Sequence, residues 1–170
     1  MASFDSGSRL ISFGLAWLAA LWLFGCASPA TLVPQQSTVN DVHDRVGPPT
    51  DVRVDANGDE LWEYAKGPAG YETWLVRIGK DGKVKSVTQL LTQERFDRIV
   101  VGKTTKAELR ELFGRPSDVM RYGNGLVWEW RARIPPDRGV YAARFDDNNI
   151  VREKMVLTDP KTDGGDKGAK

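Results

Sequence analysis

The side chains able to do chemistry are few and badly spaced for it. His43 is the only histidine and Cys26 the only cysteine. No histidine-centred triad and no Cys/His metal site of the four-ligand kind can be assembled from them. Gly102-Lys103-Thr104 has the ending of a phosphate-binding loop. That loop needs a glycine about five residues earlier, where this chain has Asp97. Asp146-Asp147-Asn148-Asn149 lines up oxygen donors, but a calcium loop spaces its ligands over about 12 residues and closes with a glutamate. A hairpin turn explains these four residues better. The carboxylates of Glu111 and Asp118 have no spacing that marks acid–base work. The expectation is a protein without catalytic residues, metal or cofactor.

The elements that would have to position a site are written twice. Thr38–Val52 reads TVNDVHDRVGPPTDV and Thr105–Val119 reads TKAELRELFGRPSDV. One constant offset aligns Thr38 with Thr105, Val42 with Leu109, Val46 with Phe113, Gly47 with Gly114 and Pro49 with Pro116. Thr50-Asp51-Val52 then falls on Ser117-Asp118-Val119. Each copy opens as a capped helix. Thr38 is followed by Asp41 and Thr105 by Glu108, the spacing of a capping box. Val39, Val42 and Val46 form one apolar face; Leu109, Leu112 and Phe113 form the other. Gly47 and Gly114 suit the left-handed residue that ends a helix, with prolines just beyond. Helices of two to three turns are marginal in water unless they pack on something.

Strands supply the packing. Leu61–Tyr64 and Val127–Trp130 alternate, placing Trp62 with Tyr64, and Trp128 with Trp130, on one face. Trp74, Val76 and Ile78 alternate in the same way, as do Tyr141, Ala143 and Phe145. Asp81-Gly82 and Asp147-Asn148-Asn149 are hairpin signals leading into Val84–Leu90 and Ile150–Leu157. Asn124-Gly125 turns the chain into Val127–Arg131. Residues 93–101 read as a linking helix with Phe96, Ile99 and Val100 inward. The predicted fold is α+β: two tandem modules, each a short helix or helices on an antiparallel sheet of three strands or slightly more. The modules occupy residues 37–92 and 93–158, with a disordered polar tail at 159–170.

The N-terminus reads as an export signal over residues 1–25. Arg9 precedes the uncharged apolar run Leu10–Phe24, which is short for a membrane span of roughly 20 residues. Residues 26–36 read as a flexible tether. Net charge is +1 over 170 residues, so no strong basic field invites nucleic acid.

Two resemblances add to this reading. Leu23-Phe24-Gly25-Cys26 resembles a bacterial lipobox, which implies fatty acylation of Cys26 and a lipid anchor. Ala27 behind it implies sorting to the outer membrane, facing the periplasm. The stretch Phe96–Val119, followed by a Trp-x-Trp strand and two more, resembles the BamE-like (SmpA/OmlA) outer-membrane lipoprotein family. Val101, Gly102, Thr104, Leu109, Phe113, Gly114 and Pro116 carry that likeness, with Lys103 where the family often has Met. Such tandem modules are also similar to the scaffold of β-lactamase inhibitor proteins.

The resemblance implies a non-enzymatic scaffold or accessory factor that binds another envelope protein, such as the β-barrel assembly machinery. The alternative is a tethered or secreted inhibitor of an envelope enzyme. The aromatic pairs either form the inner sheet face or, turned outward, a binding platform. Lys103, Trp128, Glu129, Trp130, Arg131 and Arg133 are the candidate contact residues. The resemblance places Arg133 at a basic position that contacts partner or anionic lipid, and Glu129 where the family has an aromatic.

Overall fold

The computed structural model describes residues 28–66, 70–123, 125–134 and 137–158. The expected export signal, Cys26 and the polar tail lie outside the described residues.

The same unit is built twice. Helix α1 (Val39–Val46) is followed by strands β1 (Asp51–Val54), β2 (Glu60–Ala65), β3 (Thr73–Ile78) and β4 (Val84–Gln89). A short helix α2 (Gln93–Asp97) leads to α3 (Lys106–Phe113), then β5 (Asp118–Tyr122), β6 (Gly125–Ile134), β7 (Asp137–Phe145) and β8 (Val151–Thr158). Each set of strands forms a four-stranded antiparallel meander in sequence order.

The repeated letters become repeated bonds. The Thr38 hydroxyl accepts from Asp41 N at 3.3 Å while Asp41 accepts from Thr38 N at 2.9 Å. Thr105 and Glu108 do the same at 3.2 and 2.8 Å. These reciprocal bonds satisfy donors that a helix start otherwise leaves unpaired. Gly47 and Gly114 end the helices at φ +88° and +75°, a region costly for residues with a Cβ. The Tyr64 hydroxyl then donates to Gly47 O, and Trp130 Nε1 to Gly114 O, both at 3.2 Å. Thr50 and Ser117 each bond back to the second strand, Oγ1 to Glu63 O at 2.8 Å and Oγ to Glu129 O at 2.9 Å. Even the irregularities recur: register shifts at Arg77/Ile78 and Arg144/Phe145.

Each helix lies on the face of its own sheet that carries the aromatic pair. Trp62, Tyr64, Trp74, Val76 and Ile78 pack with Val42 and Leu32. Trp130, Tyr141, Ala143 and Phe145 pack with Leu109, Phe113 and Phe96. In the second core, Phe96 stacks on Tyr141 with centroids 4.4 Å apart, and Phe113 tilts against Trp130 at 5.3 Å. Buried aromatics of this kind are each worth about 1.5–3 kcal/mol of transfer free energy.

Each sheet has four strands, within the expected three or slightly more; the strands the sequence does not signal are β1 and β5. Both are short edge strands with exposed apolar residues, such as Val52 and Val119, so neither carries a burial signal. Helix α2 stops at Asp97, and Val100 is exposed rather than inward. The segment expected to be a loose tether is docked from Ser28 onward. Leu32 is buried in the first core, and Gln35 N donates to Val84 O at 2.7 Å.

The modules are joined through a buried carboxylate. Glu63, on the face of the first sheet away from α1, is 0% exposed. Its Oε2 accepts from Arg110 Nη1 on α3 at 2.7 Å, and its Oε1 from Arg115 N at 2.7 Å. Arg110 Nη2 also reaches Asp51 at 2.5 Å, and Arg53 pairs with Glu111. Helix α3 thus gives its apolar face to the second sheet and its charged face to the first.

Candidate functional site

Strand β6 carries most of the candidate contact residues, and its alternation divides them. Trp128 and Trp130 point to the helix side. Trp130 is 2% exposed, which makes it core and removes its indole from the candidate contact set. Trp128 is partly buried against the same core, edge-on to Phe145 at 5.2 Å, with Lys106 Nζ 5.8 Å above its ring. The period-two spacing identified the shared face; which side it was depended on the helix above it.

Glu129, Arg131 and Arg133 occupy the opposite face. Their register partners on β7 are Ala142, Val140 and Arg138, and Met155 and Leu157 follow on β8. The floor of this face is buried, with Val140 5% and Ala142 0% exposed, while its charged side chains are partly or fully open. Burial and the nearby Asp118 carboxylate raise the pKa of Glu129, partly offset by Arg131. Arg131 Nη1 and Arg144 Nε are buried nitrogens without a hydrogen-bond acceptor among the described residues. Arg144 is nonetheless held by Glu153 at 3.2 Å through its other branch. Sequence reasoning missed Arg144. The signal that could have found it was its position in the Tyr141–Phe145 alternation, on the side away from the aromatics.

Arg133 and Arg138 lie where the long β6–β7 ribbon meets the first module. Arg133 Nε is 3.4 Å from Glu72 Oε1, and the Arg138 guanidinium sits 4.9 Å above the Tyr71 ring. Trp74 Nε1, burial, Lys66 and Arg133 all act on Glu72; the indole bond leads, and the net effect lowers its pKa. Beside this contact runs a groove of about 310 Å³ between the modules. Its walls include Ala65 and Thr73 from the first module, Leu91 from the turn between β4 and α2, and Pro116, Trp130 and Arg131 from the second module.

Lys103 is not brought to this surface. It is exposed beside the start of α3, in a shallow cleft of about 520 Å³ with Arg98, Glu108 and Glu111. Gly102, at φ +77°, and Thr104 form a turn in which Val100 N donates to Thr104 Oγ1 at 2.9 Å. The Asp146–Asn149 run is a hairpin turn whose Asp146 Oδ1 accepts from Asn148 N and Ile150 N at 2.9 Å. His43 is largely exposed on α1, 3.7 Å from Asp44.

No known protein family matches the chain, and no curated protein matches it. Among solved structures, it is similar to a DUF4309 family protein from Bacillus subtilis at 16% identity, over 76% of this chain and 83% of that one, with a TM-score of 0.30. It is similar to an extracellular protein containing an SCP domain from Bacillus anthracis at 11% identity, over 94% of this chain and 51% of that one, with a TM-score of 0.32. A candidate beta-lactamase inhibitor protein from Streptococcus mutans is similar at 12% identity, over 71% and 82% of the two chains, with a TM-score of 0.28. At these levels none of the three assigns the chain a family or an activity.

Proposed function

We propose that this chain is a non-enzymatic, lipid-anchored protein of the bacterial envelope that works by binding another protein. The observation that carries the reading is the helix-free face of the second sheet. There, Arg131 and Arg144 hold buried guanidinium nitrogens with no acceptor among the described residues, above an apolar floor. Buried donors left without partners are costly. These two nitrogens lie beneath the surface, so a partner's carboxylates or carbonyls would reach them only by drawing the guanidinium groups outward. The exposed Arg133 and Arg138 would pair directly, and aliphatic groups would cover Met155 and Leu157. The Glu63–Arg110 junction fixes the modules as one body, so the face is presented preorganised.

In this reading acylated Cys26 confines the protein to the periplasmic side of the outer membrane, where tethering raises effective concentration and weak contacts suffice. The BamE-like resemblance makes the outer-membrane assembly machinery the first partner to seek. The alternative, a tethered inhibitor, would use the groove between the modules. Fatty-acid labelling and affinity capture from membrane extracts test the proposal. Labelling lost in Cys26→Ala, with an assembly protein captured by the wild type, supports it. Capture of an enzyme with a blocked active site supports the alternative. Unchanged membrane attachment of Cys26→Ala would sink the anchor.

A further inference from the structure

The docked segment at Ser28 limits how this protein can sit on a membrane. The Ser28 carbonyl accepts from Thr31 N at 3.0 Å, and Leu32 N donates to Pro29 O at 3.1 Å. Pro29 and Leu32 are buried, and Ser37 Oγ closes the segment by accepting from Val33 N at 2.9 Å. If Cys26 carries the lipid, as proposed above and as this inference requires, only Ala27 separates it from this fixed turn. Two residues span at most about 7 Å when extended. A lipid-bearing residue must lie at the bilayer surface, so the end of the module that holds Ser28 must lie there too.

The chemistry of that end fits the position. A cleft of about 340 Å³ opens beside the turn, lined by Pro29, Val46, Pro48, Tyr64, Trp74 and Lys66. Lys66 is the charged side chain among the described lining residues. Tyr64 belongs to the core, but the half-buried Trp74 and the exposed Lys66 with its long apolar stem are of the kinds favoured at headgroup depth. Ala30 and Thr31, in the same turn, are exposed and uncharged. The opposite end of the module differs. Val39 N donates to Gly82 O at 2.9 Å, which places the start of α1 at the β3–β4 turn, where Lys80, Asp81 and Lys83 are charged.

We infer that the Pro29–Pro48–Lys66–Trp74 end of the first module rests on the phospholipid surface, held in one orientation by a leash too short to let it turn. Acyl and glycerol groups would meet the exposed Pro48, Ala30 and Thr31, and a lipid phosphate would meet the exposed Lys66, in competition with its ion pair to Glu72 at 3.4 Å.

The test uses the full acylated chain in phosphatidylethanolamine/phosphatidylglycerol vesicles. Acylation consumes the Cys26 thiol, so Ala30→Cys or Lys80→Cys adds a unique site for an environment-sensitive fluorophore. Flotation first reports anchoring. Lipid-borne spin labels should then quench the probe at position 30 several-fold more than the probe at position 80. Insertion of a flexible Gly/Ser segment of about 20 residues after Ala27 should equalise the two. A chain that fails to float overturns the anchor and the inference together. A chain that floats with equal quenching, or with a ratio unmoved by the insertion, overturns the orientation alone.

Discussion

Glu63 and Arg110 belong to different modules, yet Arg110 Nη1 donates to Glu63 Oε2 at 2.7 Å with the carboxylate fully buried. Removing one partner leaves a buried charge uncompensated, which costs about 3–5 kcal/mol. Arg110→Ala is therefore expected to lose that much in denaturant unfolding. The pair Glu63→Leu with Arg110→Met should recover much of the loss, because apolar replacement of both partners removes the desolvation penalty. Gly114→Ala should also destabilise strongly. Its Cβ would fall 2.7 Å from Glu63 Oε1 at a φ of +75°.

The two capping boxes give matched measurements. Thr38→Ala and Thr105→Ala should each cost about 1 kcal/mol, and the losses should add. The boxes also set an acid response. Hydrogen bonds from the backbone and then the hydroxyl of Thr105 hold the Glu108 pKa below its ordinary 4.5, and those from Thr38 lower Asp41 from 3.8. Their stabilisation is present above these ordinary values and lost as pH falls through the folded ones. Glu108→Gln with Asp41→Asn should flatten the acid limb of a stability-versus-pH curve measured below about pH 4.5.

Glu129 should behave in the opposite sense. Burial and Asp118 raise its pKa above 4.5, so the fold disfavours its ionised form. Stability contributed by the protonated carboxyl is lost as pH rises through 4.5 toward the folded value. Glu129→Gln should therefore be more stable than wild type at pH 7. A destabilised Glu129→Gln at that pH would show that its carboxylate has a favourable partner.

Arg133 separates stability from binding. Its side chain is 65% exposed and its ion pair to Glu72 is 3.4 Å long. Such pairs contribute about 0–1 kcal/mol. Arg133→Ala should leave the unfolding midpoint nearly unchanged, so any loss of partner capture would report on contact rather than folding.

Much of this architecture was legible because the repeat is spelled in residues with strong local rules. Thr38/Asp41 and Thr105/Glu108 announce helix starts, Gly47 and Gly114 announce ends, and alternating aromatics announce strands. The edge strands were not legible, because Val52, Val54 and Val119 are solvent-exposed and carry no burial pattern. Nor was the junction. Glu63 sits in a strand between Trp62 and Tyr64 and reads as a solvent-facing position, because alternation cannot say that a second module covers it. The docked Ser28–Ser37 segment was hidden by its composition: prolines and glutamines look like a linker until Leu32 finds a core. The period-two spacing puts Trp128 and Trp130 on a common face, but only the helices packed on it make that face internal.

The central claim is that the helix-free face of the second sheet receives another envelope protein. A photo-crosslinking amino acid placed at Arg133 or Met155, compared in intact cells with one at the exposed His43, measures this directly. The account predicts a discrete protein adduct from the two sheet positions that is absent from the helix position. No adduct from the sheet, or the same adducts from all three positions, would contradict it.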